Sequence, residues 1–246
     1  MMGDAIRRLC GALALGAVLA GCGTNVQTWL GPPEPPPTPV ADQSPSSGSA
    51  MAVLQSLPVK GRAPKTRYGR DQFGQAWSDD VDVPGGHNGC DTRSDILRRD
   101  LQGVAIKAGT NGCVPVRGTL HDPYTGQIID FARGAETSSA VQIDHVVPLS
   151  DAWQTGAQLL TLQERQDLAN DPLNLLAVDG PSNQAKGDSD AATWLPPARS
   201  YRCGYIAIQI AVKAKYRLWV TPAEHDAMQT VLSNCPDQAV PAGASR

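Results

Sequence analysis

The stretch from Val141 to Asp188 constrains the fold of this chain more than any other. It contains two short apolar runs, Ile143 to Leu149 and Leu173 to Val178, whose length and composition are typical of buried strands. A polar segment, DGPSNQAKGD, follows the second run and can start a helix. The stretch therefore predicts two strands followed by a helix.

Polar side chains interrupt these apolar runs at positions that suit phosphodiester chemistry. Asp144 and His145 are adjacent in the first run, Asn174 opens the second, and Asn183 and Lys186 follow in the polar segment. A divalent metal ion needs hard oxygen ligands. An attacking water needs a base that is neutral near pH 7, and histidine is the natural choice. The pattern predicts a one-metal phosphodiesterase site.

A purely structural interpretation competes with this one. A single histidine on an apolar strand is more often a core residue than a catalyst, and an Asn-Leu-Leu sequence is usually an ordinary junction between a turn and a strand. Each feature taken alone favours that interpretation. Structure alone, however, requires no Asp-His pair followed by two asparagines and a lysine at these separations. The combination favours function.

At these residues the chain resembles the HNH (ββα-metal) endonuclease family, in its secreted or restriction-associated branch with a D-H-V-V-P-L core. The HNH domains of RNA-guided CRISPR nucleases are similar. The shared features are the D-H-V-V-P opening, an Asn before an apolar triplet, and N-x-x-K nine residues later, here Asn174 to Asn183. The last motif residue is Asn instead of His. The segments GCDTRSDILRRDL, GTLHDPYTG and KGDSDAATWLPP also resemble that branch.

The resemblance implies a role for each motif residue. His145 would deprotonate water, and Asp144 and Asn183 would bind one divalent ion, Mg²⁺ with Mn²⁺ or Zn²⁺ as alternatives. Asn174 would brace the two strands and position the imidazole, and Lys186 would contact a substrate phosphate. The implied substrate is nucleic acid, with DNA favoured over RNA, and the sequence alone does not decide between the two. No protein partner is evident.

The N-terminus has the features of an export signal. Arg7 and Arg8 precede an apolar run, Leu9 to Ala20, of signal-peptide length. The run ends in Leu-Ala-Gly-Cys, which resembles a bacterial lipobox, so we expect cleavage after residues 1–21 and lipidation of Cys22. An ordinary signal peptide or an uncleaved anchor are the alternatives. The expected location is outside the cell, lipid-anchored to the outer face of a bacterial membrane or secreted.

Composition divides the rest of the chain. Residues 22–51 are rich in Pro and Ser and predict an extended tether. Residues 52–235 are long enough for one domain with its own core, and residues 236–246 are expected to be a disordered tail. Within the domain, Lys60 to Trp77 mixes basic and aromatic residues. This segment could grip a phosphate backbone or pack its aromatic rings on the core, and the sequence does not separate the two.

Helix and strand signals flank the motif. Thr92 is the expected N-cap of a helix that Gly103 terminates, and Thr161 with Glu164 predicts a capping box. The expected fold class is therefore α+β, with a small antiparallel sheet, a ββα-metal site and flanking helices. The remaining expected elements are strands at 104–107, 113–120 and 127–132, a helix from Tyr201 to Trp219, and a last helix from Thr221 to about Asn234.

Four cysteines remain after the leader and the lipidated position: Cys90, Cys113, Cys203 and Cys235. They allow three pairings. The absence of C-x-x-C makes a zinc site the weaker interpretation, and an exported chain favours disulfides. If the last two helices are antiparallel, Cys203 meets Cys235, and Cys90 pairs with Cys113 by elimination.

Charge is the one feature that opposes nucleic-acid binding. The chain has a formal net charge of −3, and loss of the leader makes it more negative, whereas nucleic-acid-binding proteins are normally basic. A local basic groove and a bound metal ion are compatible with an acidic total. The leading hypothesis is an exported, metal-dependent endonuclease. The alternatives are a non-catalytic envelope lipoprotein on an HNH-derived scaffold and hydrolysis of another phosphoester.

Overall fold

The structure, a computed structural model, describes residues 48–135 and 137–243. The predicted leader, the predicted lipidation of Cys22 and most of the predicted tether lie outside these residues. No helix among the described residues is long and apolar enough to cross a membrane.

Helices and strands fall largely in separate runs along the described chain, which is typical of an α+β protein. The α-helices are α1 (Ala50–Ser56), α2 (Thr92–Asp100), α3 (Leu149–Gln154), α4 (Leu162–Asn170), α5 (Gly180–Lys186), α6 (Arg202–Lys215) and α7 (Pro222–Leu232). The strands are β1 (Leu101–Ile106), β2 (Pro115–His121), β3 (Ile128–Ala132), β4 (Val141–His145) and β5 (Leu175–Asp179). The 3₁₀ turns are Arg70–Phe73, Ser138–Ala140, Ala157–Leu159 and Arg199–Tyr201.

The strands form two antiparallel sheets within the described residues. One has the order β1-β2-β3, and the other pairs β4 with β5. In the second sheet Asp144 lies opposite Leu176, and His145 lies opposite Leu175. Helix α5 follows β5 directly, so β4, β5 and α5 form the expected ββα unit. The predicted α+β class with a small antiparallel sheet is confirmed.

The predicted strand from Ile143 to Leu149 is shorter at its end than expected. Strand β4 ends at His145, and Leu149 already belongs to α3. The backbone N–H of Val147 donates to the side-chain Oδ1 of Asn174 at 2.8 Å instead of to a partner strand. Pro148 then has no N–H to continue the ladder, and the chain turns into the helix.

The beginning of α2 also differs from the prediction. Its N-cap is Asp91, whose carboxylate accepts from the N–H of Ser94 at 2.8 Å. The hydroxyl of Thr92, the expected cap, donates instead to the carbonyl of Ser78. The helix ends at Asp100, and Gly103 lies within β1 at a register shift, with φ of 59°. Gly103 therefore accommodates an irregular strand and does not end the helix.

Helices α4 and α7 begin where the sequence signals place them. The capping boxes of Thr161 with Glu164 and of Thr221 with Glu224 are both present, and Pro222 occupies the first turn of α7. The helix expected from Tyr201 is shorter at both ends. It ends at Lys215, and Arg217 adopts a positive φ of 54°, which a continuing α-helix does not allow.

Two disulfides connect the four expected cysteines. Cys90 bonds to Cys113, and Cys203 bonds to Cys235. The first joins the segment before α2 to the segment before β2. The second links the start of α6 to the residues just after α7, the two helix ends that an antiparallel arrangement brings together.

The folded unit extends beyond the predicted limits of 52–235. Ala50 is fully buried in the core, and Val240 is 5% exposed. The N–H of Ala50 donates to the carbonyl of Gln238 at 2.8 Å, and Ser49 forms a β-bridge with Ala239. Residues 236–240 are therefore ordered, because their backbone pairs with the segment that begins α1. The composition of this short tail gave no sign of that pairing.

A buried charge cluster lies under α6 and α7. Lys213 Nζ is 2.9 Å from carboxylate oxygens of both Asp151 and Glu224, and Arg62 contacts Asp151 and Asp190. The three carboxylates approach one another as metal ligands would, but these two cations already lie between them. Three carboxylates facing two cations leave room for one proton. Burial raises the pKa of Glu224 to about 7, although the positive charge of Lys213 opposes this rise. Glu224 is therefore the carboxyl group that holds this proton.

Candidate active site

The ββα unit brings the predicted acid, base and amide to one cavity. Asp144, His145 and Asn183 line a cavity of about 390 Å³. Asp144 and His145 lie at the end of β4, and Asn183 lies on α5. Asn174 and Lys186 do not line this cavity, because both side chains are buried behind it.

His145 is held in one orientation by the backbone. Its Nε2 is 2.8 Å from the carbonyl oxygen of Ala169. A carbonyl oxygen only accepts, so Nε2 carries the hydrogen and Nδ1 of the neutral ring keeps its lone pair. Burial lowers the pKa of His145 to about 4, against the opposing effect of the Ala169 hydrogen bond. The ring, half-buried and open to the cavity, is neutral at pH 7 and presents Nδ1 as a base.

An aromatic wall supports the same ring. The indole of Trp77 stacks on the His145 imidazole, with ring centroids 5.9 Å apart and planes inclined by 14°. The hydrogen bond to Ala169 fixes the ring edge, and the indole covers one ring face. Together they restrict rotation of the imidazole.

Asp144 is a buried carboxylate with a donor on each oxygen. The hydroxyl of Tyr124 donates to Oδ2 at 2.5 Å, and Lys186 Nζ donates to Oδ1 at 2.9 Å. Burial raises the pKa of Asp144, whereas Lys186 and Tyr124 oppose that rise. Burial also raises the pKa of Tyr124 well above its ordinary value, so its hydroxyl remains a donor. The two donors favour the ionised form of Asp144.

The expected contact of Lys186 with substrate phosphate is wrong. Lys186 is 1% exposed, and its Nζ donates to Asp144 and to the carbonyl of His145. An ammonium enclosed by these two acceptors cannot reach a ligand in the cavity. Helix α5 places the lysine on its buried side, where it neutralises Asp144.

Asn174 connects the segment that follows β4 to the start of β5. It is fully buried; its Oδ1 accepts from Val147 N–H, and its Nδ2 donates to the carbonyls of Val147 and Leu168, both at 3.3 Å. The carbonyl of Leu168 is one residue from the Ala169 carbonyl that holds His145. Asn174 thereby supports the imidazole through the backbone and does not touch it.

The oxygen donors around the cavity fit a hard divalent cation. Asn183 Nδ2 donates to Gln142 Oε1 at 3.0 Å. This contact uses only the amide nitrogen of Asn183, and the amide oxygen Oδ1 takes no part in it. Each Asp144 oxygen accepts one hydrogen bond from the residues described above and has further acceptor capacity. A carboxylate and an amide oxygen match the ligand preference of Mg²⁺, which keeps several waters.

Tyr124 and Asp122 support this site but are not among the predicted site residues. Tyr124 lies in the turn between β2 and β3, and Asp122 in the same turn accepts from Asp179 N–H at 2.9 Å. The turn is therefore anchored to both strands of the ββα unit. The segment GTLHDPYTG resembles the same family branch, but no local signal indicates that its tyrosine reaches Asp144.

The segment from Lys60 to Trp77 packs its aromatic rings on the core and places one arginine at the cavity. Phe73 is buried and Tyr68 half-buried, and both pack against Trp153. Arg70 instead lines the cavity of Asp144 and His145 together with an adjoining cavity of about 130 Å³, which Trp77 also lines. The aromatic rings Phe73 and Tyr68 anchor the segment, and Arg70 faces the site.

The chain is similar to a known protein family and to a secreted relative. Residues 91–231 match the family model described as the C-terminal domain of GmrSD restriction endonucleases. An uncharacterized secreted protein of Arthroderma benhamiae is 40% identical over 210 residues, covering 85% of this chain and 94% of the relative. No solved structure matches the chain.

Proposed function

The chain belongs to the family of GmrSD restriction endonuclease C-terminal domains, an HNH-type nuclease family, and on that premise we propose that it is an exported, metal-dependent endonuclease. The observation that carries the proposal is the orientation of His145. Its Nε2–H is committed to the Ala169 carbonyl, and the free Nδ1 belongs to a ring that lines one cavity with Asp144 and Asn183.

In the proposed reaction His145 accepts a proton from the attacking water at Nδ1. A base that is neutral at the working pH and fixed in orientation contributes about 10²–10⁴-fold to such a step. Asn174 keeps the strands in register and supports the Ala169 segment, and Trp77 restricts the ring. Lys186 and Tyr124 hold Asp144 in its ionised form.

Asp144 and Asn183 would hold one divalent ion, with Mg²⁺ the preferred species and Mn²⁺ or Zn²⁺ as alternatives. Such an ion, when bound, stabilises negative charge on the phosphate and on the leaving oxygen. Their oxygen atoms support this assignment, together with the cavity that both residues line.

Export is supported by three independent features. The chain has two disulfides in its described part, its relative is a secreted protein, and its first residues have the pattern of a leader. We further propose that Cys22 carries a lipid anchor. Acyl labelling in the native host should modify the wild-type chain and not Cys22→Ser. An unlabelled wild-type chain would refute the lipid anchor and would indicate secretion without one.

A plasmid-nicking assay tests the enzymatic proposal. The wild type should cut supercoiled plasmid with Mg²⁺ and not with EDTA, and a parallel RNA substrate should be cut more slowly. His145→Ala should lower the rate about 10²–10⁴-fold, whereas His87→Ala, which removes a histidine that is 60% exposed and does not line the cavity, should not.

Calorimetric titration with metal separates the base from the ligands. His145→Ala should retain divalent-ion binding, whereas Asn183→Ala should weaken it and regain part of its activity at excess metal. Full activity of His145→Ala would contradict the mechanism. Absence of nuclease activity in a folded wild type that binds metal would favour hydrolysis of another phosphoester, and absence of both would favour the non-catalytic scaffold.

A further inference from the structure

Arg70 is a cation of the active-site cavity that the motif does not include. It begins the 3₁₀ turn Arg70–Phe73 and lies outside residues 91–231, the part that matches the family model. Its side chain is exposed and lines both the cavity of about 390 Å³ and the adjoining one of about 130 Å³. Arg70 forms no hydrogen bond or ion pair with another described residue.

The turn that carries Arg70 is fixed in place. Arg165 Nε of α4 donates to the carbonyl of Gln72 at 2.6 Å, and Phe73 is 1% exposed. Gly74, at the end of the turn, has φ of 75°, and a Cβ there would lie 2.7 Å from the Gln166 side chain. The backbone of Arg70 is therefore held close to α4, while its guanidinium remains available to a ligand.

The charges around the cavity favour an anion beside Arg70. The carboxylate of Asp144 is paired with Lys186, and that of Asp188, which also lines the cavity, is 3.2 Å from Lys65 Nζ. Because the charges within each of these two pairs cancel, the positive charge of Arg70 remains in excess. The cavity is thus locally basic although the chain carries a net charge of −3.

We propose that Arg70 binds a non-bridging phosphate oxygen of the nucleic-acid strand that occupies this cavity, the contact that Lys186 cannot make. This inference rests on the proposed nuclease function. A guanidinium presents several N–H donors in a planar fork that matches phosphate oxygens. Because Arg70 lines the same cavity as His145, the phosphate that it holds lies in the cavity where the base and its water act.

Binding of a short DNA duplex, measured with Mg²⁺ at several salt concentrations, tests the proposal. The His145→Ala background prevents cleavage, and Arg70→Ala, Arg70→Lys and Arg117→Ala are added to it. Arg117 is a matched control, because it is an exposed arginine on β2 and does not line either cavity.

Arg70→Ala should weaken binding about tenfold or more, as expected for loss of a charged hydrogen bond. It should also reduce the slope of log affinity against log salt by about 0.9, the value for one phosphate contact on duplex DNA. Arg70→Lys should keep the slope but bind more weakly than arginine, because lysine retains the charge and loses the planar fork. Arg117→Ala should leave both quantities unchanged.

If the wild type cuts plasmid, two results would overturn the inference and leave the nuclease proposal in place. One is an Arg70→Ala variant that keeps the affinity and the salt slope of its parent, and the other is an equal loss of affinity in Arg70→Ala and Arg117→Ala. A wild type that neither cuts nor binds nucleic acid would refute the nuclease proposal itself. Unfolding curves of each variant confirm that the comparison is made between folded proteins.

Discussion

Replacing Lys186 by methionine tests whether this lysine stabilises the fold or binds substrate. The Lys186 ammonium is fully buried, 2.9 Å from Asp144 Oδ1 and 2.8 Å from the His145 carbonyl. Methionine fills a similar volume without charge. The Lys186→Met variant therefore leaves the Asp144 carboxylate, itself 5% exposed, without its cation.

The expected cost follows from burial of that unpaired charge. Removing one partner of a buried ion pair typically destabilises a protein by about 3–5 kcal/mol, a large part of a total of about 5–15 kcal/mol. In the Asp144→Asn, Lys186→Met double variant no charge remains, and we expect at least half of the loss to be recovered. Lys65→Met is the control, because its pair with Asp188 is exposed and should contribute less than about 1 kcal/mol.

Urea denaturation followed by tryptophan fluorescence, at pH 7 with EDTA, measures these free energies of unfolding. The order of stability should be wild type and Lys65→Met, then the double variant, then Lys186→Met. If Lys186→Met unfolds at the same urea concentration as Lys65→Met, the buried pair does not exist in solution. A phosphate-contacting lysine would give that result together with weaker nucleic-acid binding.

Three further changes test other parts of the fold. Asn174→Ala leaves three backbone groups without their partner and should lower the free energy of unfolding by about 3 kcal/mol in the same urea assay; a loss below about 1 kcal/mol would contradict the bracing role. The pKa of Glu224 in the folded state, about 7, lies above its ordinary value of 4.5. Between these two pH values the folded state binds more protons than the unfolded state, so the free energy of unfolding should fall as the pH rises from 4.5 to 7. The melting temperature of Glu224→Gln should therefore fall less over this pH range than that of the wild type. Parallel curves of melting temperature against pH for the two proteins would refute the raised pKa of Glu224. Removing the Cys203–Cys235 disulfide, which spans 32 residues, should cost about 3–4 kcal/mol by loop entropy, measured by thermal unfolding against the oxidised wild type; a loss below about 1 kcal/mol would contradict it.

The sequence predicted those features that depend on a few neighbouring residues. Both capping boxes are local, because the cap and the N3 glutamate are three residues apart. The ββα order was also predictable, since two apolar runs and a polar segment follow one another between Val141 and Asp188. The exception is Thr92, which lost the N-cap position to Asp91 because its hydroxyl bonds to Ser78.

Features that depend on distant contacts could not be predicted in this way. Whether Lys186 faces solvent or Asp144 is decided by the side of α5 that packs on β4. Tyr124 reaches Asp144 from a hairpin 20 residues away, and Val240 is buried only because the chain end meets α1. The composition of each of these segments is equally compatible with an exposed position.

The anchored turn between β2 and β3 limits how far the ββα unit can be treated as a portable module. A fragment that began at Val141 would keep the motif but lose Tyr124 and Asp122, which hold Asp144 and the start of α5. Asp144 would then have a single donor in an opened pocket. Grafting β4, β5 and α5 onto another scaffold would have to include a substitute for that turn, and natural recombination at this boundary would separate the motif from its support.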